Sequence, residues 1–171
     1  MPSSSMSRRF VIRSLAAAAL FPLSAGASEP LDGQTRFRAI RVDVTPLRKT
    51  GDRISADFIE RTLPAHLQHY FAAYLAPGDR RAPALVARID SVMYGDEGGA
   101  SLPGGYGAMD YIEGAGVVIG GGGREVASYP LMSSMTARVN LNDVTGQGVI
   151  TRMNNLTQSF AQWLPGKMGL R

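Results

Sequence analysis

The sequence predicts an α+β domain: a single, mostly antiparallel sheet whose start permits a βαβ crossover, with one long helix and one short C-terminal helix packed on one face. Three patterns predict it. Residues 36–44 alternate with period two, residues 54–76 carry an apolar stripe at helical spacing, and the second half of the chain breaks into short alternating segments before a final amphipathic helix.

In the first segment Ile40, Val42 and Val44 point to one face and Arg41 and Asp43 to the other, and Thr45-Pro46 ends the strand. Lys49-Thr50-Gly51-Asp52 reads as a turn, with Ser55 as the N-cap of the helix that follows. Ile59, Leu63, Leu67, Tyr70 and Tyr74, with Phe71 beside them, recur at intervals of three and four. Pro64 removes a backbone donor inside this stripe and disfavours helix at Leu63, which predicts a kink or two helical pieces. Pro77-Gly78-Asp79 stops the helix. In the next strand, 83–94, Leu85, Ala87, Ile89 and Met93 share one face and Arg88 and Asp90 the other.

Composition changes abruptly at Gly95, for 12 of the 20 glycines fall in the insertion 95–123. Residues 95–109 read as a long mobile loop, 110–119 as a strand, Gly120-Gly121-Gly122-Gly123 as a flexible link, and 125–129 as a strand that Pro130 confines to an edge or a bulge. Residues 132–141 are a further strand, with Met135, Ala137, Val139 and Leu141 alternating with Thr136, Arg138 and Asn140. A turn over 142–148 returns the chain as a hairpin partner, 149–153. Leu156, Phe160, Trp163 and Leu164 then form the short helix 154–164, stopped by Pro165-Gly166, with Phe160 and Trp163 as core anchors.

The N-terminus has the three parts of a cleavable leader: a basic stretch, an Ala-rich apolar run over 14–23, and the small-x-small triplet Ala25-Gly26-Ala27. Cleavage after Ala27 leaves a single domain, 28–171, of 144 residues. That is long enough to bury roughly 68–70% of its unfolded surface. Ser7-Arg8-Arg9-Phe10-Val11-Ile12-Arg13 resembles the twin-arginine export consensus, with Val11 and Ile12 as the apolar pair and Arg13 as the closing basic residue. The resemblance implies export to the periplasm of a domain that folds before it crosses; an ordinary Sec leader carrying two arginines is the alternative. The apolar run is about half the roughly 20 residues of a spanning helix, so no transmembrane segment is expected.

The leader also reinterprets the charge. The chain is +4 with a pI near 9.8. Arg8, Arg9 and Arg13 lie in the leader and every acidic residue lies beyond it, so the domain is +1 with its charges interspersed. That is no footprint for nucleic acid. With no Cys, the chain has no disulfide, iron–sulfur cluster, thiolate zinc site or Cys nucleophile.

No stretch carries a catalytic signature. His66 and His69, the only histidines, are helical neighbours without an obvious third metal ligand, and read as one partly buried and one surface residue. Asp96, Glu97, Asp110 and Glu113 flank the loop and offer a carboxylate pair only if they converge. The glycines from Gly114 to Gly120 miss the dinucleotide spacing by one, and no helix follows to receive a pyrophosphate. Asn140, Asn142, Asp143 and Gly146 lack the calcium-loop spacing and its closing Glu. No Ser stands in a nucleophile motif. No cofactor or metal is therefore expected. The glycine-rich loop with Tyr106, Met109 and Tyr111 reads instead as a segment that folds on a partner.

The run Ala137-Arg138-Val139-Asn140-Leu141-Asn142-Asp143-Val144-Thr145-Gly146 resembles the alternating strand ending in Asp-x-x-Thr-Gly of small, uncharacterised bacterial envelope domains. The strand–helix–strand layout of 37–94 is similar to accessory domains of the curli-secretion and TolB amino-terminal kind. The resemblance implies a periplasmic, non-enzymatic assembly or transport accessory, and it transfers no functional residue. The lipidation Cys that many such proteins carry is absent. The sequence thus points to an envelope accessory or binding domain that engages a protein partner through its sheet edge or its loop. The rival is a small periplasmic enzyme or metal-binding protein using the loop carboxylates or His66 with His69.

Overall fold

The computed structural model describes residues 28–95, 109–136 and 147–170. Its elements in chain order are β1 (Ala39–Asp43), α1 (Thr45–Lys49), α2 (Arg53–Tyr70), a 3-10 turn (Ala72–Tyr74), β2 (Ala84–Met93), β3 (Met109–Ile119), β4 (Glu125–Thr136) and α3 (Gln147–Lys167). The four strands form one sheet in the order β1-β2-β3-β4. β1 and β2 are parallel, joined through α1 and α2, and the other pairs are antiparallel. The predicted α+β class with a βαβ start therefore holds.

α2 starts at Asp52, whose carboxylate accepts the Ser55 N–H at 3.0 Å, so Asp52 rather than Ser55 is the N-cap. The helix runs unbroken for 18 residues through Pro64 and presents Ile59, Leu63 and Leu67 to the core; the expected division into two pieces does not occur. A 3-10 turn replaces its predicted last turn. α1, unforeseen, uses Pro46 in its first turn and buries Leu47.

On β2 the predicted face fails at one point. Leu85, Ala87 and Ile89 are buried, but a bulge between Ile89 and Ser91 inserts Asp90 as an extra residue. Every side chain beyond it changes face. Val92 and Tyr94 turn to the core, while Met93 is 55% exposed on the opposite side. The partner at the bulge is Gly114, where a Cβ would overlap the Arg88 carbonyl oxygen. Close backbone approach, not phosphate binding, is what this glycine provides.

β3 and β4 form a hairpin across Gly120–Gly123, an ordered turn closed by Gly120 N–H to the Arg124 carbonyl at 2.9 Å rather than a flexible link. β4 is one continuous strand through Pro130 and is an edge of the sheet, as Pro130 required. Of the strand expected over 132–141, residues 137–141 lie outside the described residues.

The largest correction concerns the C-terminus. Residues 149–153 are not a hairpin strand but early turns of the 21-residue α3. The buried positions Met153, Leu156, Phe160 and Leu164 fall at helical spacing, and burying that stripe outweighs the strand propensity of Val149 and Ile150, both exposed. α3 also passes Pro165, in its last turn, and ends at Lys167 rather than at Pro165-Gly166. Gly169 at φ +84° closes it, with its N–H on the Gly166 carbonyl and the Leu170 N–H on the Pro165 carbonyl. α2 and α3 pack on the same face of the sheet, over a core that includes Phe37, Phe71, Leu85, Ile112, Tyr129 and Phe160.

Candidate functional site

Among the described residues the groups that could carry chemistry do not converge. Arg8, Arg9, Ala25, Ala27, Asp96, Glu97 and Tyr106 lie outside the described residues. Asp110 and Glu113 are three apart on β3 and therefore face opposite sides of the sheet. Asp110 is 2% exposed on the helix side, whereas Glu113 is exposed and accepts from the Ser91 hydroxyl at 3.3 Å. His66 Nε2 lies 3.2 Å from Asn154 Oδ1 on α3. His69 is exposed and meets the Tyr70 ring edge-on. Among the described residues no three His, Asp or Glu side chains are grouped to hold a metal ion. Met109 and Tyr111 are on β3 itself, the Tyr111 hydroxyl 3.5 Å from the Met109 sulfur.

Two sites have a built geometry. The first is buried where the ends of β2 and β3 meet α3. The Arg152 guanidinium, 10% exposed, grips the Asp110 carboxylate in a fork, Nε on Oδ2 at 2.7 Å and a terminal N–H on Oδ1. The same guanidinium donates to the Gly95 carbonyl at 3.2 Å, and the Gly95 N–H donates to Asp110 Oδ1 at 3.1 Å. Arg152 also lies 5.7 Å from the centre of the Tyr94 ring, and the Tyr94 hydroxyl is 3.1 Å from the Ser55 hydroxyl. Burial, opposed by the Ser55 bond, raises the Tyr94 pKa above the ordinary phenol value. Both oxygens of Asp110 are engaged, and no buried side-chain nitrogen or oxygen among the described residues lacks a partner. This arrangement fixes Gly95 and Asp110, at the ends of β2 and β3, to α3. The sequence does not reveal it, because residues 149–153, with Arg152 among them, read as a hairpin strand.

The second site is open. Trp163, expected in the core, is 58% exposed on α3, while Phe160 is fully buried. It stands as a ridge between two clefts. One, of about 500 Å³, runs along the edge of β4 and is bounded by Leu131, Met132, Ser134, Gly166 and Lys167. The other, of about 310 Å³, is bounded by Tyr70, Tyr74, Gln162 and Leu170. The spacing does not reveal this exposure: Leu156, Phe160, Trp163 and Leu164 fall at i, i+4, i+7 and i+8 and read as one stripe, and Trp163 lies at its margin, on the side of Leu156 away from Phe160 and Leu164.

The backbone of β4 completes the site. Ser28 N–H donates to the Ser128 carbonyl at 3.0 Å and the Ser128 N–H donates to the Ser28 hydroxyl at 2.9 Å, so both Ser128 groups point away from β3. The β3–β4 register is regular from Ser128 to Thr136. Pro130, Met132 and Ser134 therefore share that outward orientation. Pro130 costs the ladder no hydrogen bond there. Beyond Ser128, no described residue bonds to the outward backbone groups of Met132 and Ser134.

No family model matches the chain, and no curated protein matches it. Among solved structures it is similar to the PelC dodecamer from Paraburkholderia phytofirmans, at 13% identity and a TM-score of 0.47 over 85% of this chain and 95% of that one. A minor lipoprotein from Acinetobacter baumannii follows at 12% and 0.40, over 77% and 93%. Uncharacterised lipoprotein B from Nitrosomonas europaea stands at 11% and 0.30, over 79% and 88%. Likeness at this level assigns this chain neither a family nor a function. No helix among the described residues is long and apolar enough to cross a membrane.

Proposed function

We propose that this chain is a non-enzymatic accessory domain of the bacterial cell envelope, exported through its twin-arginine leader, cleaved after Ala27, and built to bind a protein partner in the periplasm. The observation that carries this reading is the coincidence of a strand edge that no described residue pairs beyond Ser128 with an exposed aromatic: Met132 and Ser134 on β4 beside Trp163 on α3. Trp is enriched where proteins bind one another, and outward strand groups are a ready template for another chain. The groups an enzyme would use support it too. Asp110 is held by Arg152 and Gly95, Glu113 faces away, and His66 meets Asn154.

The test is site-specific photo-crosslinking in the native cell. A photoreactive residue at position 132 or 163 of the full chain yields a discrete envelope-protein adduct, identified by mass spectrometry, and one at exposed Ile54 on α2 does not. Equal, unspecific labelling from all three positions contradicts the reading.

A further inference from the structure

We propose that the partner enters as an extended peptide strand added to β4 between Met132 and Thr136, with an apolar side chain against Trp163 and an acidic group at Lys167. This deepens the binding-domain reading and rests on it. Three features point to a strand rather than to a helix or a flat surface. The outward backbone groups of Met132 and Ser134 repeat at the two-residue spacing that an added strand matches. The same edge is already engaged at Ser128, where Ser28 bonds through its N–H and its hydroxyl, so Met132 and Ser134 are further outward positions of an edge that the chain itself uses. The cleft between β4 and α3 runs beside this edge, so alternate side chains of an added strand enter it.

The chemistry of the occupant follows from the lining. Leu131 and the face of Trp163 supply apolar contact, Ser133 is taken up by Ser159 at 2.7 Å, and Gly166 leaves the α3 side of the cleft without a side chain. Among the described residues Lys167 is the only charged one lining either cleft, so charge complementarity selects a carboxylate at that end. The exposed positions of this edge, Met132 and Ser134, carry no charge to repel a strand.

The full chain is titrated with a positional-scanning library of acetylated, amidated hexapeptides, and binding is read from the emission of Trp163, the only tryptophan. The expected result is a saturable blue shift that is strongest for peptides alternating β-branched residues and carrying one aspartate or glutamate. With the selected peptide bound, the amides of Met132 and Ser134 become protected from hydrogen exchange in the unmodified chain. Met132→Pro removes one outward donor at a position equivalent to Pro130 and weakens binding about tenfold or more. Lys167→Gln weakens the acidic peptides selectively. Ser134→Pro serves where Met132→Pro does not fold.

Absence of binding across the library, or binding with no added protection at Met132 and Ser134, overturns strand addition. Protection that grows with protein concentration alone assigns the edge to a second copy and also overturns it. If cellohexaose shifts the emission while the peptides do not, Trp163 is a sugar platform and the strand proposal falls. These failures are separate from failure of the binding-domain reading, which would also require that the crosslinks at positions 132 and 163 be absent.

Discussion

Arg152 on α3 and Asp110 on β3 meet as a buried, two-point ion pair that also holds both backbone groups of Gly95. Three distant parts of the chain are thereby fixed to one another at the end of the sheet. A charge left alone in such a place is expensive, whereas the pair together is close to neutral in its contribution.

Removing one partner should therefore cost much more than replacing both. Asp110→Ala or Arg152→Ala is expected to destabilise by about 3–5 kcal/mol, and the pair Asp110→Leu with Arg152→Met by clearly less than the sum of the single changes. Urea unfolding of the four proteins checks this. Additive losses would mean that the pair is not the clamp described.

Gly114 and Gly116 separate two kinds of close packing. A Cβ at Gly114 meets the rigid Arg88 backbone at the bulge, while one at Gly116 meets the Leu164 side chain at 2.9 Å, which can turn aside. Gly116→Ala should cost about 1–3 kcal/mol, as overpacking does, and Gly114→Ala should cost more or prevent folding. Thermal unfolding of both variants gives the comparison, and equal costs would contradict the bulge.

Tyr94 makes stability depend on alkaline pH. Burial raises its pKa, so the folded chain retains the phenol proton at a pH where the unfolded chain has lost it. Its contribution is fully present below about pH 10, the unfolded value, and is lost as pH rises through the folded pKa. Tyr129, whose hydroxyl donates to the Glu29 carbonyl at 2.7 Å, is shifted in the same direction by burial. Tyr94→Phe should lose about 0.5–1.5 kcal/mol at neutral pH with the Ser55 bond, and should show a shallower fall in stability above pH 10. An unchanged alkaline profile would count against the burial of this phenol.

Phe160 and Trp163 lie three residues apart on α3 with opposite fates. Phe160→Ala should cost about 3–5 kcal/mol of stability. Trp163→Ala should change stability by no more than about 0.5 kcal/mol, as surface changes do, and should reduce partner capture instead. Unfolding curves paired with crosslinking yield separate the two roles.

Replacing Arg8 and Arg9 with Lys should block delivery to the periplasm if the leader is of the twin-arginine type. Cell fractionation reads this directly, and unchanged delivery returns the leader to the Sec class.

The fold was legible where local pattern and tertiary packing agree. The stripe of Ile59, Leu63 and Leu67 and the alternation of Ile40, Val42 and Val44 each describe a surface that packs on the core: the helix stripe is buried, and the strand face is buried at Val44 and partly buried at Ile40 and Val42. Legibility failed where one residue changes the phase. Asp90 as a bulge turns Met93 outward, and nothing in the composition around it marks the insertion, because its cause is the glycine opposite, on another strand. Val149 and Ile150 favoured a strand locally, but the helical stripe from Met153 to Leu164 continues their segment into α3. That single error concealed Arg152, and with it the clamp on Asp110. The open site is half legible: Pro130 marks the edge strand, while Trp163, at i+7 from Leu156, reads as a core anchor, and only the packing of α3 leaves it at the exposed margin of the stripe.

Residue-resolved amide hydrogen exchange of the full chain without any partner tests most directly whether the edge of β4 is open beside Trp163. The amides of Leu131, Ser133 and Met135 face β3 and should exchange slowly, while those of Met132 and Ser134 face outward and should exchange much faster. Slow exchange at Met132 and Ser134, equal to that of their neighbours, would show the edge already covered and would contradict the account.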